Sequence, residues 1–211
     1  MIPLILRLKK AMHKEVAKAQ DMVVEPLYRV FNGAVLHGGT AIWRCYNGNR
    51  FSEDIDVYIP KNVDKLELLF EFLERKGFGI EKKKIGANSL FSSLNFNNTI
   101  IRFEALFKKV EGHLKEYETV ESNLITVYTL TPEGLIKEKV DTYLKRFKIR
   151  DLYDIFFLLR YVQDKNKIKH DLSSLLKKFK MPIDENELKT IIIDGLTPTT
   201  EKMLEYIKGF T

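Results

Sequence analysis

The segment from Leu36 to Ile59 constrains the fold more than any other part of the chain, because it combines a glycine turn with two closely spaced acids. An apolar stretch ends in Gly38, Gly39 and Thr40, which predicts a strand, a tight turn and the start of a short helix. Such a turn exposes backbone N–H groups, and the helix adds the positive end of its dipole. The sequence therefore predicts a phosphate cradle at this turn.

A pair of aspartates lies on the strand that we predict after the cradle, over residues 52–59. Asp54 and Asp56 alternate there with Ile55 and Val57. Alternate residues of a strand share a face, so both carboxylates should point the same way while the aliphatic side chains enter the core. Two carboxylates beside a phosphate cradle suit Mg²⁺ bound to a nucleoside triphosphate, which is our working hypothesis.

A third acid, Glu104, lies on the predicted strand 99–107. Apolar residues alternate with Arg102 and Glu104 over residues 101–105, so Glu104 faces the same side as the two aspartates if the apolar set faces the core. Three carboxylates from neighbouring strands can hold two Mg²⁺ (or Mn²⁺) ions about 3.5–4 Å apart. The alternative interpretation makes Glu104 an ordinary solvent-facing strand residue.

The composition of the 211-residue chain is typical of a soluble globular protein, with 45% hydrophobic and 30% charged residues. The apolar run at residues 2–6 is too short for a signal peptide or a membrane span, so we expect a cytoplasmic protein without membrane association. Cys45 is the only cysteine, which excludes an internal disulfide and a cysteine zinc site. We expect it to be a packed thiol rather than a nucleophile.

Hydrophobic periodicity predicts an α+β fold, in which a mixed β-sheet with flanking helices precedes a C-terminal helical bundle. Helical spacing extends over residues 4–31, with Pro26 as a break or a helix start. The predicted strands cover residues 34–36, 52–59, 91–96 and 99–107, with weaker signals near 117–120 and 124–127. The predicted later helices cover residues 40–46, 63–76, 133–147, 150–163, 170–179, 184–192 and 198–208. We therefore expect a core with N-terminal helices at residues 1–130 and a helical domain at residues 131–211.

Positive charge is concentrated in the predicted helical domain. The chain has a formal net charge of +6, and residues 137–180 contain 13 basic and 6 acidic residues. This excess fits a polyanionic partner such as RNA, whose phosphate backbone the basic helices would contact. A lysine-rich solvated surface explains the same charge equally well.

Two sequence blocks resemble a known family. The run HGGTA at residues 37–41, followed by RFSEDID at residues 50–56, is similar to the AbiEii/AbiGii toxin-like nucleotidyltransferases of the polymerase-β-type superfamily. A second block resembles the later motif of that family, with a Glu-Lys pair at residues 138–139 and the run RDLYD at residues 150–154. The two blocks occur in the order that the family has.

The resemblance implies a nucleotidyltransferase-type core that requires a divalent metal and binds an NTP. The implied metal ligands are Asp54, Asp56 and Glu104. The residues that we assign to the nucleotide are Gly38, Gly39, Thr40, Arg50, Ser52 and Lys139. The resemblance further implies that Lys139 and Asp154 are needed for activity. It also implies the toxin of a type IV-like toxin–antitoxin pair, with an antitoxin protein as a partner and tRNA or another RNA as the acceptor.

Several of these residues have alternative interpretations. Arg50 can contact phosphate or pair with Glu53 or Asp54, and the Ser52 hydroxyl can contact phosphate or belong to an ordinary strand start. Lys139 can be a surface lysine.

Three further residues carry expectations of their own. Asp154 shares a helix face with Asp151 and can orient Lys139 or the acceptor hydroxyl. We expect an ion pair between Arg150 and Asp151. For His37 we expect a packed side chain.

These observations predict an enzyme that moves a nucleoside monophosphate (NMP) from an NTP to a hydroxyl group and releases pyrophosphate. A second hypothesis keeps this chemistry and makes a protein hydroxyl the acceptor. A third hypothesis is a nucleotide- or RNA-binding module that lost turnover. The complete set of three acids argues for an enzyme.

Overall fold

A seven-stranded mixed β-sheet positions the candidate site, in a computed structural model that describes residues 3–211. The strands are β1 (Val35–His37), β2 (Ile55–Ile59), β3 (Gly79–Ile85), β4 (Ser89–Phe96), β5 (Thr99–Phe107), β6 (His113–Glu118) and β7 (Leu124–Thr129). Their order in the sheet is β3-β4-β5-β2-β1-β7-β6. The pairs β2–β5 and β1–β7 are parallel, and the other neighbours are antiparallel.

Helices account for most of the remaining chain. They are α1 (Leu4–Arg7), α2 (Ala11–Val30), α3 (Gly38–Cys45), α4 (Val63–Arg75), α5 (Pro132–Arg146), α6 (Ile149–Leu158), α7 (Asn166–Lys177), α8 (Leu188–Ile191) and α9 (Thr200–Lys208). Short 3-10 turns follow α6 and precede α8. The predicted α+β class is confirmed. Within residues 3–211, no helix combines the length and the apolarity that crossing a bilayer requires.

The chain packs into two compact units. The first contains residues 3–47 and 51–129, and therefore the whole sheet with α1 to α4. The second contains residues 48–50 and 130–211, and therefore α5 to α9. The short segment 48–50 is part of the second unit although its neighbours in sequence on both sides belong to the first.

The hairpin between β4 and β5 sets the register of the strand that carries Glu104. Asn97 and Asn98 form its turn with φ angles of 50° and 62°. Two consecutive left-handed residues are typical of a two-residue hairpin turn, and asparagine tolerates this conformation well. Phe96 and Thr99 close the turn as register partners. The predicted hairpin is confirmed.

Each strand of this hairpin has one apolar face. The buried apolar side chains on β4 and β5 are Leu90, Leu94, Ile101, Phe103 and Ala105. Helix α2 packs against β5 and α4, and α4 also contacts β3. Because the buried residues alternate with polar ones, Arg102 and Glu104 lie on the other face of β5.

Three predictions of local structure were wrong. Helix α2 continues through Pro26, which is buried near its C-terminal end, and the helical break lies instead at residues 8–10. A proline there removes one helical hydrogen bond, whereas the long apolar stripe of α2 stabilises the whole helix. Strand β2 begins at Ile55, three residues later than predicted. The last helix was predicted to begin at Pro198, after Thr197. Helix α9 begins instead at Thr200, and Thr199 is its N-cap.

Strand β3 was missed, and β6 lies earlier than the predicted strand near 117–120. β3 is an edge strand with mostly exposed side chains, including three consecutive lysines at residues 82–84. Such a strand lacks the apolar alternation on which strand prediction depends. Lysines on an edge strand also oppose pairing with other chains.

A buried arginine connects α3 to α2 and β6 in the first unit. The Arg44 side chain is fully buried and pairs with Asp21. Its Nε donates to the Tyr117 hydroxyl at 3.0 Å, and its guanidinium lies 4.6 Å from the Trp43 ring centroid. A buried ion pair is costly to break, because the remaining partner keeps an uncompensated charge.

We expect Arg44→Met to lower the free energy of unfolding by about 3–5 kcal/mol, since it leaves the Asp21 carboxylate buried without its cation. Arg75→Met is the matched control, because the Arg75 side chain is 70% exposed and pairs with Glu71 at 3.6 Å. The control should change stability by less than about 1 kcal/mol. Urea unfolding followed by circular dichroism measures both, and equal effects would contradict the assignment.

Candidate active site

The predicted glycine turn lies directly between β1 and α3, and its backbone touches an acidic residue of the neighbouring strand. Gly38 has a φ of +69°, and a Cβ added at this position would overlap with Oδ2 of Asp56. Only glycine satisfies both conditions without strain. The turn therefore brings backbone N–H groups at the start of α3 next to the Asp56 carboxylate, as the sequence predicts.

The parallel pairing of β2 and β5 places two of the three predicted acids side by side. Asp56 and Glu104 are register partners, and both alternate with buried apolar neighbours, so their side chains share one face. His37 of β1 is the partner of Asp56 on the other side. The pKa of Glu104 is raised, first by burial and then by the negative charges of Asp56 and Asp54. Glu104 is half-buried beside Asp56, which favours the predicted shared face, and its role as a metal ligand stays a prediction.

Asp54 lies one residue before β2 and is held from two sides. Its carboxylate accepts hydrogen bonds from Arg102 Nε at 2.7 Å and from Arg102 Nη2 at 2.9 Å. Its backbone carbonyl accepts a hydrogen bond from the Thr40 hydroxyl. Thr40 is fully buried. The Thr40 side chain therefore positions the backbone of Asp54, and the predicted nucleotide contact at Thr40 stays a prediction.

Two residues of this site were missed by the sequence reasoning. Gln20 of α2 is fully buried, and its amide donates to the Ser52 carbonyl at 2.9 Å and to the Thr40 hydroxyl at 3.3 Å. A polar residue on the apolar stripe of α2 was the available signal. Arg102 was recognised only as a strand residue, although it shares a face with Glu104.

The three carboxylates have the donor chemistry of a Mg²⁺ or Mn²⁺ site. Hard divalent cations prefer carboxylate oxygens, and burial, followed by the charges of Asp56 and Asp54, raises the pKa of Glu104. Within residues 3–211, no group of three His, Cys, Asp or Glu side chains is already arranged as a metal site. Arg102, which pairs with Asp54, supplies one positive charge at this place.

A second cluster of predicted site residues lies within the helical unit. Arg50 donates to both Asp154 carboxylate oxygens, with Nε–Oδ1 at 2.5 Å and Nη2–Oδ2 at 2.6 Å. Lys139 Nζ lies 2.7 Å from Asp154 Oδ2 and 3.5 Å from Asp151 Oδ1. Arg50, Lys139 and Asp154 are all buried. The prediction that Asp154 orients Lys139 is confirmed, and the surface-lysine alternative for Lys139 is wrong.

Two predicted ion pairs have different partners. Arg50 pairs with Asp154 rather than with Glu53 or Asp54, because segment 48–50 packs with the helical unit. Asp151 is bound by Arg146, with contacts of 2.7 and 2.8 Å, rather than by Arg150. Adjacent residues of a helix point in different directions, whereas Arg146 precedes the start of α6 and can fold back onto it.

Buried Asp154 stays ionised because two cations surround it. Burial alone would raise the pKa of Asp154, but Arg50 and Lys139 lower it below its ordinary value. Such a carboxylate stabilises the fold above the pKa of an unfolded aspartate, about 3.9. This contribution is lost as the pH falls through the lower folded pKa.

Two residues near the motif have packing roles, as predicted. The ring of His37 stacks on Tyr58 with the centroids 4.1 Å apart. Cys45 is buried, and burial raises the pKa of its thiol to about 12. A thiol with such a pKa is not a nucleophile at neutral pH.

The sequence over residues 26–209 matches the protein family described as "Nucleotidyl transferase AbiEii toxin, Type IV TA system". The chain belongs to this family. Membership identifies the protein as a nucleotidyltransferase of a toxin family, and the resemblance that the two motif blocks indicated is confirmed. A comparison with curated proteins gave no significant match.

Solved structures of nucleotidyltransferases share the fold of this AbiEii-family protein. MenT4, a nucleotidyltransferase toxin from Mycobacterium tuberculosis H37Rv, is similar with a TM-score of 0.64 and 16% identity over 95% of this chain and 84% of that chain. JHP933 from Helicobacter pylori has a TM-score of 0.64 and 17% identity over 95% and 90% of the two chains. A putative nucleotidyltransferase from H. pylori has a TM-score of 0.65 and 18% identity over 95% and 93%. The predicted nucleotidyltransferase-type fold is confirmed.

Gly38→Ala should remove most of the transferase activity, because the added methyl group collides with Asp56 and requires a strained φ. The same strain should lower the free energy of unfolding by about 1–3 kcal/mol. Gly33→Ala is the matched control, since a Cβ there meets no heavy atom within 4 Å. Pyrophosphate release and thermal melting measure both effects, and a fully active Gly38→Ala enzyme would contradict the proposed cradle.

Asp154→Asn should lower the free energy of unfolding by about 3–5 kcal/mol at neutral pH, because Arg50 stays buried without its bidentate anion and Lys139 keeps only the 3.5 Å contact with Asp151. The difference from wild type should shrink as the pH falls below about 4, where the unfolded aspartate takes up a proton, and it should vanish below the lower folded pKa of Asp154. Asp141→Asn on the exposed side of α5 is the control. Urea titrations across pH measure the effect, and a pH-independent difference would refute the ionised Asp154.

Proposed function

We propose that this AbiEii-family protein transfers an NMP from an NTP to a hydroxyl group of tRNA or another RNA and releases pyrophosphate. In the cell it would be the toxin of a type IV-like toxin–antitoxin system, with an antitoxin protein as its partner. The family supports the transferase chemistry and the toxin role. The RNA acceptor and the metal requirement belong to this proposal.

One observation carries the proposal. The turn at Gly38 contacts Asp56, and Asp56 is the register partner of Glu104 on the parallel neighbouring strand. This arrangement supports a single site, in which the N–H groups of the turn would bind phosphate and the neighbouring carboxylates would bind the metal. An NTP-binding module without turnover has no need for such a repulsive acid cluster, whereas phosphoryl transfer depends on it.

The residues of the first unit have distinct tasks in the reaction. Asp54, Asp56 and Glu104 would hold Mg²⁺ or Mn²⁺, which neutralises negative charge on the phosphates when it is bound. The backbone N–H groups of Gly38, Gly39 and Thr40 would bind the triphosphate. The Ser52 hydroxyl, two residues before Asp54 in sequence, would also contact phosphate. The acceptor oxygen bonds to the α-phosphorus while the bond to the leaving pyrophosphate breaks. We propose that Glu104 accepts the proton that the acceptor hydroxyl loses in this step.

For Arg50, Lys139 and Asp154 we propose a positioning role within the helical unit. Their buried ion cluster fixes segment 48–50 against α5 and α6. Segment 48–50 precedes the strand that carries the aspartates, so its conformation limits how that strand begins. Direct contacts of Lys139 and Arg50 with phosphate, which the sequence predicts, stay predictions.

The acceptor and the chemistry can be tested together. Purified protein is incubated with labelled NTPs, Mg²⁺ or Mn²⁺, and separate pools of RNA and protein. We expect label at the 3′ ends of RNA, no transfer in EDTA, and at least about 10³-fold slower transfer with Asp56→Asn, since loss of a metal ligand removes several kcal/mol of transition-state stabilisation. Asp64→Asn in the exposed first turn of α4 is the control and should transfer normally.

Two results would contradict the proposal. Wild-type activity in the Asp56→Asn variant would exclude the metal-site assignment. Label in the protein pool alone would show that the acceptor is a protein hydroxyl and not RNA. Sequencing of RNA 3′ ends after controlled expression should show added nucleotides, together with growth arrest, for wild type and not for Asp56→Asn.

A further inference from the structure

An open depression adjoins the acid cluster on the first unit. We call it the β3–β5 face and define it by Lys82, Phe91, Ser93, Ile100 and Arg102, which lie on β3, β4 and β5. It has a volume of about 510 Å³, and Asp54 is part of its wall. Asp54 is the one residue of its wall to which the proposed NTP site assigns a role.

Residues of this face are cross-strand partners of the residues that carry or bind the acids. Glu104, which pairs with Asp56, has Phe91 as its partner on the other side. Arg102, which binds Asp54, has Ser93 as its partner, and Ser93 in turn pairs with Lys82. Neighbouring strands lie about 5 Å apart, so Phe91 is about 10 Å from Asp56 across the sheet. This distance is short enough for one substrate to contact both.

The order of the strands assigns a side of the sheet to each substrate. The glycine turn lies at β1, the acids lie on β2 and β5, and the β3–β5 face continues from β5 to β4 and β3. In phosphoryl transfer the attacking and the leaving oxygen are roughly in line on opposite sides of the phosphorus. If pyrophosphate leaves at the glycine turn, the acceptor must approach from the side of β4.

The chemistry of the face fits a nucleotide. The Lys82 ammonium lies 5.1 Å from the centroid of the half-buried Phe91 ring, and Ile100 is 53% exposed although it is apolar. Bases stack on aromatic rings that keep one accessible part, and nearby cations bind the phosphates. Arg102 supplies a second cation, with a side chain that is 46% exposed.

The acids on the face have partners or lie at its margin. Asn95 donates to Glu81 at 2.7 Å, Arg102 binds Asp54, and Glu53 is exposed at the wall. Positive and negative charges are therefore nearly balanced. A face of this kind suits one or two nucleotides through stacking rather than a long phosphate backbone through charge.

We propose that the β3–β5 face binds the single-stranded end of the acceptor RNA, with a base stacked on Phe91 and a phosphate held by Lys82 and Arg102. This inference rests on the proposed function, because it places the acceptor of that reaction. It assigns an RNA contact to the sheet of the first unit.

The test measures binding of a short fluorescein-labelled single-stranded RNA by anisotropy, without NTP or metal. Phe91→Leu keeps apolar bulk and removes the flat ring, so we expect about tenfold weaker binding. Phe72→Leu is its control, because Phe72 is also half-buried beside arginines but lies on α4. Melting temperatures confirm that both variants fold.

Lys82→Gln and Lys83→Gln form a second matched pair. Adjacent strand residues face opposite sides, and Lys83 pairs with Glu67 of α4 at 2.5 Å. Lys82→Gln should weaken RNA binding several-fold and make its salt dependence about one unit less steep, whereas Lys83→Gln should leave both unchanged. Equal behaviour of the two lysine variants, together with equal behaviour of the two phenylalanine variants, would overturn the proposal.

Transfer assays separate this inference from the proposed function. Phe91→Leu and Lys82→Gln should raise the KM for RNA and leave the KM for NTP unchanged. Transfer to RNA by these variants with a wild-type KM for RNA would overturn the β3–β5 face and leave the proposed function intact. Absence of transfer by wild type would overturn the proposed function. The anisotropy measurements on the two variant pairs would still show whether the β3–β5 face binds RNA.

Discussion

The site depends on electrostatic repulsion that the fold imposes on carboxylates. Parallel pairing of β2 with β5 sets Asp56 directly beside Glu104, and Asp54 lies close enough to contribute to the raised pKa of Glu104. Apolar side chains that alternate with these acids hold the strands in register, so the acids cannot separate without loss of the core. The folding energy of the sheet therefore holds Asp56 and Glu104 side by side despite the repulsion between their charges.

The neighbouring groups adjust this cluster in different ways. Gly38 lets the turn between β1 and α3 approach Asp56, and Gln20 and Thr40 fix the backbone that leads to the aspartates. Arg102 balances Asp54 and also belongs to the β3–β5 face. One arginine can thus respond to the occupancy of the acid cluster and to an acceptor on the face beyond it.

The central motif could be predicted from the sequence because it depends on residues that are close along the chain. The glycine turn, the alternation around Asp56 and Glu104, and the Asn97–Asn98 hairpin each depend on residues that are close along the chain, and the structure has all three. Strand β3 was not readable, because an exposed edge strand needs no apolar alternation. The partners of Asp54 and Arg50 were not readable either, because Arg102 and Asp154 lie 48 and 104 residues away in sequence. Charge pairing over such separations is decided by the packing of whole elements.

The most direct test of the central claim is anomalous X-ray diffraction from crystals grown with Mn²⁺ and a non-hydrolysable NTP analogue. The account predicts an anomalous peak bound by Asp56 and Glu104, with Asp54 released from Arg102 and the triphosphate at the glycine turn. A bound triphosphate with Mn²⁺ elsewhere, and with Asp54 still paired to Arg102, would contradict it.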